Sequence, residues 1–454
     1  MKYFGTDGIR RIANTELTPE LVYRVAKAGA YVLSKHANGR KPTILIGRDT
    51  RISGTLIESA MTAGFLSFGA NVKLVGVVPT PGIAYLTKKL KADASVVISA
   101  SHNKYDYNGI KFFSNKGMKI PDEIEEEIEN VLDSNQIEKL IARSEGIGVA
   151  ENCEELQREY LYFFRKTFED DFEVLKKDNF KVAIDVANGA TYKIADEVYN
   201  MLGINHYIIN DTPNGININE NCGSTHLEML KEFVKSNKCN LGIAYDGDGD
   251  RCLAIDKDGN EIDGDIIMAI ISKYMKEKGT LKNNSLVATV MSNLGLKKFC
   301  DSEKIKFIQT KVGDRYVLEN MLKNGYNIGG EQSGHIIFLD CNPTGDGILT
   351  SLMLIKIILE SQKDVTELKK IIKIYPQILV NAKVNSEKKY DFEKDKEIQE
   401  KIKDLNDEFK DNGRVLIRAS GTESLVRVMI EGEKQDYITK KAKELAKFIE
   451  QKLA

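Results

Sequence analysis

Apolar and polar positions follow a repeating order along this chain: a short apolar run, a polar turn, a stretch of helical periodicity, then another short apolar run. Residues 43–47 predict a strand, Arg48 to Gly54 a charged loop, the residues through Ala63 a helix, and residues 72–77 a second strand. Residues 181–185, the turn Asn188-Gly189-Ala190, a helix around 195–202 and a strand over 206–209 repeat the order. It returns in residues 286–290, Ser292-Asn293, a helix from about Leu294 and a strand over 306–308. Three diverged units of this kind predict three related α/β domains.

Between the strands, Thr18-Pro19-Glu20 predicts a helix start: Thr18 can cap, Pro19 suits the first helical position, and Glu20 complements the dipole. Leu21, Val22, Val25, Ala28 and Val32 then recur at helical spacing. In the acidic stretch 123–129, Ile124, Ile128 and Val131 predict a buried side and the glutamates a solvated face. Residues 154–168 predict a helix joining the first two units. After about Lys370 the pattern changes: residues 378–384 and 426–432 alternate like half-exposed antiparallel strands, and a helix ends the chain. This part is expected to be a smaller α+β domain.

Composition narrows the class. The 454 residues are 42% apolar, enough for roughly three domains. A formal net charge of -2 gives no global field for nucleic acid or an anionic membrane. The six cysteines are scattered, with no C-x-x-C pair and no zinc spacing, as expected of reduced thiols in a cytoplasmic protein. No apolar targeting segment opens the chain, and no apolar run approaches a bilayer's thickness. A monomer and a homodimer are both compatible with the pattern.

Four polar loops carry the candidate chemistry. Residues 94–98 predict a buried strand, and it runs directly into Ser99-Ala100-Ser101-His102-Asn103, with Asn108-Gly109-Ile110-Lys111 just beyond. Hydroxyls at a strand's C-terminal edge lie where open α/β sheets bind ligands, although Ser and Asn are also ordinary turn residues; Ser99 and Ser101 are equal candidates on this ground. Asp246-Gly247-Asp248-Gly249-Asp250-Arg251 follows an apolar run at 241–245. Three carboxylates at alternate positions repel one another unless a cation sits among them, and an all-oxygen set favours Mg²⁺ or Ca²⁺ over zinc. An EF-hand is excluded, because Arg251 and Lys257 stand where its loop needs Gly and Glu. Arg251 is also placed to take a phosphate oxygen.

Gly329-Gly330-Glu331-Gln332-Ser333-Gly334-His335 offers a carboxylate, an amide, a hydroxyl and an imidazole, a set suited to a polyol. Arg418-Ala419-Ser420-Gly421-Thr422-Glu423-Ser424, with Arg427, combines short hydroxyls, a glycine and arginine forks around one turn, as a phosphate cradle does. No G-x-x-x-x-G-K-[ST] occurs, so a P-loop nucleotide site is excluded, and no G-x-S-x-G surrounds Ser101. A serine, a metal cluster, a polyol reader and a phosphate cradle fit one simple chemistry together, the movement of a phosphoryl group on a phosphosugar with the serine as carrier.

With these four loops in this order, the chain resembles the α-D-phosphohexomutase family over essentially its full length. Residues 4–10, 214–219, 222–226, 288–295 and 312–317 are similar to the branch acting on glucosamine phosphates, and so is Gln332. The resemblance implies three related mixed α/β domains plus a smaller C-terminal α+β domain around a central cleft. These would be a phosphoserine domain (1–153), a metal-binding domain (154–257), a sugar-binding domain (258–370) and a phosphate-binding domain (371–454).

The implied reaction converts glucosamine 6-phosphate to glucosamine 1-phosphate through a sugar 1,6-bisphosphate, for UDP-N-acetylglucosamine and cell-wall synthesis. The resemblance makes Ser101 the phosphoserine, with Mg²⁺ held by its phosphate and by Asp246, Asp248 and Asp250. Glu331 and Ser333 would read sugar hydroxyls. Arg418, Ser420, Gly421, Thr422 and Arg427 would hold the phosphate that is not reacting. Lys111 and His335 are both candidate general bases, and Arg10 an electrostatic helper. Lys104 and Ser424 replace usual prolines, Tyr107 a usual Asp and Arg11 a Gly; the lost prolines are expected to loosen two loops.

Overall fold

The computed structural model describes residues 2–5, 7–37, 39–134, 137–420 and 424–454. The chain divides into two compact units, one formed by Met1–Met291 with Ile305–Lys370 and the other by Ser292–Lys304 with Ile371–Ala454.

The first unit holds three sheets. One joins β1 (Ile9–Ile12), β2 (Thr43–Arg48), β3 (Asn71–Val77), β4 (Ala94–Ile98), β5 (Tyr107–Ser114) and β6 (Ala150–Asn152) in the order β1-β5-β4-β2-β3-β6. The next joins β7 (Val182–Asp185), β8 (His206–Ile209), β9 (Leu241–Tyr245), β10 (Cys252–Asp256) and β11 (Glu261–Ile262) in the order β11-β10-β9-β7-β8. The third joins β12 (Ser285–Thr289), β13 (Lys306–Thr310), β14 (Ile328–Gly330) and β15 (Ile336–Phe338) in the order β13-β12-β14-β15.

One core recurs in all three: β3-β2-β4-β5, β8-β7-β9-β10 and β13-β12-β14-β15. In each, the first three strands are parallel and the fourth returns antiparallel. The connection from third to fourth strand therefore leaves the C-terminal edge of the parallel strands, where such sheets bind ligands. In sheet order these connections are residues 99–106, 246–251 and 331–335. Three of the polar loops predicted to carry chemistry thus stand at one topological place, repeated.

Local sequence accounts for the frame. Thr18 Oγ1 accepts from the Leu21 N–H at 3.3 Å, with Pro19 opening the helix Pro19–Leu33, and Val22, Val25, Ala28 and Val32 are buried. They pack with Ile44, Ile46, Val96, Ile98 and Phe112 in one core. All five residues of β4 are buried.

Asn108 to Lys111, to which the sequence assigned no element, form the interior of β5, paired with β1 on one side and β4 on the other. One expectation is corrected. The glutamates of helix Asp122–Asp133 are not all solvated: Glu125 is buried and pairs with Arg315 Nη2 at 3.0 Å, and Glu129 accepts the backbone N–H groups of Lys2, Tyr3 and Phe4. Buried charges of this kind need partners from distant sequence, which periodicity does not report.

In the second unit, β16 (Gln377–Lys383), β17 (Gly413–Ala419) and β18 (Leu425–Gly432) form an antiparallel sheet in the order β16-β18-β17. The helices Lys396–Phe409 and Gln435–Leu453 accompany it, the second burying Ile438, Ala442, Leu445 and Ile449. The helix Leu294–Ser302 belongs to this unit, although β12 and β13 on either side of it lie in the other. Asn293 exchanges two 2.9 Å bonds with the Tyr375 backbone, and the Leu294 N–H donates to Glu431 Oε2 at 3.2 Å. Among the described residues no helix is long and apolar enough to cross a membrane.

Candidate active site

Geometry separates the two serines. Ser99, at the end of β4, is buried and committed on both sides: its hydroxyl donates to Asp49 Oδ2 at 2.6 Å and accepts the Ser101 N–H at 2.9 Å. The Ser101 hydroxyl points away from this network and donates to Asp246 Oδ2 at 2.6 Å. Ser101 takes φ 50°, a left-handed conformation unusual for a residue with a Cβ and characteristic of functional turns.

Asp246, Asp248 and Asp250 each offer one carboxylate oxygen within 4.8 Å of the others, and all three are buried. Asp248 Oδ2 is tied to the Thr80 hydroxyl at 2.7 Å and to Lys111 Nζ at 3.0 Å. Among the described residues, the buried Oδ1 atoms of Asp248 and Asp250 have no hydrogen-bond partner. Burial first, then Asp250 and Asp248, push the Asp246 carboxyl well above the usual range. Burial would raise Asp248 as well, but Lys111 and the Thr80 hydroxyl outweigh it and lower that carboxyl. Unpartnered buried carboxylate oxygens are costly. Their all-oxygen, anionic character fits a hard divalent cation such as Mg²⁺.

Lys111 projects from β5 into this cluster. Its Nζ lies 2.9 Å from Asp7 Oδ2 and 3.8 Å from Asp250 Oδ2, besides Asp248. Burial would lower its pKa, but Asp248, Asp7 and Asp250 outweigh it and hold the ammonium charged. Arg10, on β1, donates to Asn103 Oδ1 at 3.0 Å and Asp7 Oδ2 at 3.1 Å. Arg251 gives its backbone N–H to Asp246 Oδ1 at 3.2 Å, and its Nε lies 3.9 Å from Asp250 Oδ1. His335 Nε2 is 3.3 Å from Asp314 Oδ2 and 3.9 Å from Asp250 Oδ2. Lys119 Nζ bridges Asp7, at 2.6 Å, and Asp314. His102 Nδ1 lies 3.4 Å from Ser101 Oγ; burial, then Arg251 and Arg10, push its pKa down to about 4.

In the third connection, Glu331 Oε1 accepts the Gly313 N–H at 3.2 Å, and the Ser333 hydroxyl approaches Glu331 Oε2 at 3.4 Å. Gln332 turns instead to Asp263 Oδ2 at 3.0 Å. In the second unit, Arg418 and Arg427 lie opposite one another across β17 and β18, one pair from the end of the pairing. Burial, then Arg427, lower the Arg418 pKa. Ser420 is buried, and its carbonyl takes Lys389 Nζ at 3.0 Å. Gly421 and Thr422 lie outside the described residues.

Asp7, Arg51, Thr80, Lys119, Asn219 and Asp314 enter the site without a chemical signature of their own in the sequence. Asp7, Asn219 and Asp314 lie inside stretches that carry the family resemblance, and Arg51 in the charged loop after β2. What marks them is contact with residues far away along the chain, which no local pattern reports.

Three α/β sheets of one topology, each with a polar loop at the same edge, define the class of protein, and sequence comparison gives its family. Models of the phosphoglucomutase/phosphomannomutase family match in four parts: α/β/α domain I over residues 1–139, domain II over 158–259, domain III over 263–375 and the C-terminal domain over 379–448. The chain belongs to this family.

Among its relatives, proteins named phosphoglucosamine mutase are 52% identical over 99% of both chains in Clostridium novyi, and 51% identical over 100% of both in Ruminiclostridium cellulolyticum. Solved structures share the fold. A phosphomannomutase from Thermus thermophilus has TM-score 0.79 at 23% identity, covering 98% of each chain. An Aspergillus fumigatus N-acetylphosphoglucosamine mutase, in complex with GlcNAc-6P and magnesium, has TM-score 0.71 at 17% identity, covering 100% of this chain and 96% of that one.

Proposed function

We propose that this chain is an intramolecular phosphotransferase, a phosphoglucosamine mutase, interconverting glucosamine 6-phosphate and glucosamine 1-phosphate in the cytoplasm, for UDP-N-acetylglucosamine and cell-wall synthesis. The observation that carries the reading is the Ser101 hydroxyl at 2.6 Å from Asp246, beside two buried carboxylate oxygens that accept no hydrogen bond among the described residues. Relatives of that name, similar over the whole length, support the choice of sugar.

In this reading the four domains have boundaries near 153, 257 and 370, and each contributes one loop. Ser101 Oγ carries the phosphoryl group. Asp246, Asp248 and Asp250, beside the phosphorylated Ser101, would hold Mg²⁺, which would neutralise charge on the group in transfer. The phosphorus–oxygen bond at Ser101 breaks as one forms to the free sugar hydroxyl, whose proton goes to a base. Lys111, 3.0 Å from Asp248, and His335, 3.9 Å from Asp250, both stand as candidates for that base. Arg10 and Arg251 supply further positive charge. The sugar 1,6-bisphosphate then turns over and returns its other phosphate to Ser101. Glu331 and Ser333 read sugar hydroxyls; Arg418, Ser420, Gly421, Thr422 and Arg427 hold the resting phosphate.

The test is turnover of glucosamine 6-phosphate against glucose and mannose phosphates, with Mg²⁺ and the matching 1,6-bisphosphate. Preference for the amino sugar is expected. Activity on the neutral sugars alone would replace the reading with a phosphoglucomutase or phosphomannomutase, and no activity on any would point to a phosphosugar-binding protein.

A further inference from the structure

Ser101 is held from behind. Its carbonyl oxygen accepts from Arg51 Nη2 at 3.0 Å and from Asn219 Nδ2 at 2.8 Å. The same two side chains hold the Asn103 carbonyl, at 2.8 Å and 3.0 Å, and Arg51 Nη1 also bonds the Lys104 carbonyl. Arg51 is 1% exposed and anchored through Nε on Asp49 Oδ2 at 2.8 Å. That carboxylate also takes the Ser99 hydroxyl, so strand end and clamp share one anchor. Across the gap, a Cβ at Gly247 would meet the Ser101 carbonyl at 2.6 Å and Asn219 Nδ2 at 2.8 Å, so the acid loop's own backbone closes on the same atoms.

Two donors on the carbonyl of a residue at φ 50° have one evident effect. They stabilise a backbone conformation that serine does not favour, and one that a free loop would leave. Neither side chain is bonded to Ser101 Oγ, so neither has a direct part in chemistry. We propose that Arg51 and Asn219 are positioning residues that lock the Ser101 backbone in its left-handed conformation and so hold Oγ against the acid cluster. The proposal rests on Ser101 being the phosphoryl carrier. It also accounts for Lys104 in place of a proline: three loop carbonyls tied to one guanidinium stiffen the loop without one.

The experiment compares Asn219→Ala and Arg51→Lys with the wild type. Lysine keeps the charge and loses the fork that spans three carbonyls. For each folded variant, kcat and KM are measured on glucosamine 6-phosphate, together with the rate of Ser101 phosphorylation by the 1,6-bisphosphate, read by intact mass. The expected result is a fall in kcat and in phosphorylation rate of roughly 10- to 100-fold, with KM within about twofold. A kcat within about twofold of wild type, or a raised KM with kcat unchanged, overturns the proposal. If Arg51→Lys does not fold, Asn219→Ala decides.

A second arm needs no activity: Ser101→Gly should melt a few degrees above Ser101→Ala, because glycine accepts positive φ without strain. Equal melting means no strain to hold and overturns the clamp. A wild type that never acquires phosphate overturns the carrier reading instead and leaves the melting comparison standing.

Discussion

The connections 99–106 and 331–335 occupy the same place in two copies of one sheet topology, yet they are held by different groups, buried side chains in the first and backbone amides in the second. The first is held by the side chains of Arg51, from the loop after β2, and Asn219, from the loop after β8, and Ser101 is 1% exposed. The second is held mainly by backbone groups, its own and its neighbours': the Glu331 N–H meets the His335 carbonyl at 2.9 Å, the Gly334 N–H the Glu331 carbonyl at 3.0 Å, and the Gln332 and Gly334 carbonyls take the Gly264 and Cys252 N–H groups at 2.9 and 3.0 Å; Glu331 and Ser333 stay half-buried. A carrier must present one atom in one place, whereas a reader must admit and release a ligand. The middle copy, 246–251, supplies the negative charge that makes the carrier's position useful. One fold element, repeated, has been given three chemistries by its loop alone.

The same substitution at both places is the sharpest way to break this contrast. Ser101→Ala should lower kcat at least roughly 1,000-fold, while Ser333→Ala should act mainly on KM, by about tenfold, in steady-state kinetics. Similar losses at both sites would end the distinction between carrier and reader. Next in size, Asp248→Asn should weaken Mn²⁺ or Mg²⁺ binding roughly 100-fold by calorimetry on the unphosphorylated protein, and EDTA should lower the melting temperature of wild type but barely that of the variant.

A smaller effect probes the backbones. Gly334 takes φ 92°, and a Cβ there would meet the Cys252 carbonyl at 2.3 Å, so Gly334→Ala should cost about 1–3 kcal/mol in denaturant unfolding. The smallest concerns His102, whose pKa is about 4 in the fold and about 6.5 when unfolded. Between those values the unfolded chain binds the extra proton, so the full contribution is present above pH 6.5 and is lost as pH falls toward 4. Because His102 is partly exposed, the loss should be about 1–2 kcal/mol, and His102→Gln should remove it from the pH profile of unfolding.

Much of the frame is legible in the sequence because it is local. β4 runs over the five residues that the apolar run marks, and Thr18 caps as its position before Pro19 implies. The repeat is visible as an order of elements, although only strand pairing shows that the three loops are equivalent. Less legible is whatever depends on distant partners. Asn108 to Lys111 give no strand signal of their own, because a buried lysine in a strand makes sense only once Asp7 and Asp248 face it. Glu125 looks solvated until Arg315 is beside it. Gly347–Ser361 gives no clear helical signal, because it is apolar around most of its circumference and leaves no stripe to read. In the site, the sequence offers Ser99 and Ser101 equally. The hydrogen bonds of Ser99 to Asp49 and to the Ser101 N–H separate them, and neither bond has a local signature.

The central claim is that Ser101 carries the phosphoryl group. Its most direct test is intact-mass analysis, with fragmentation mapping, after incubation with the sugar 1,6-bisphosphate and Mg²⁺. A single added phosphoryl group on Ser101, absent from Ser101→Ala together with turnover, is the predicted result. Phosphate on another residue, or turnover that survives Ser101→Ala, would contradict it.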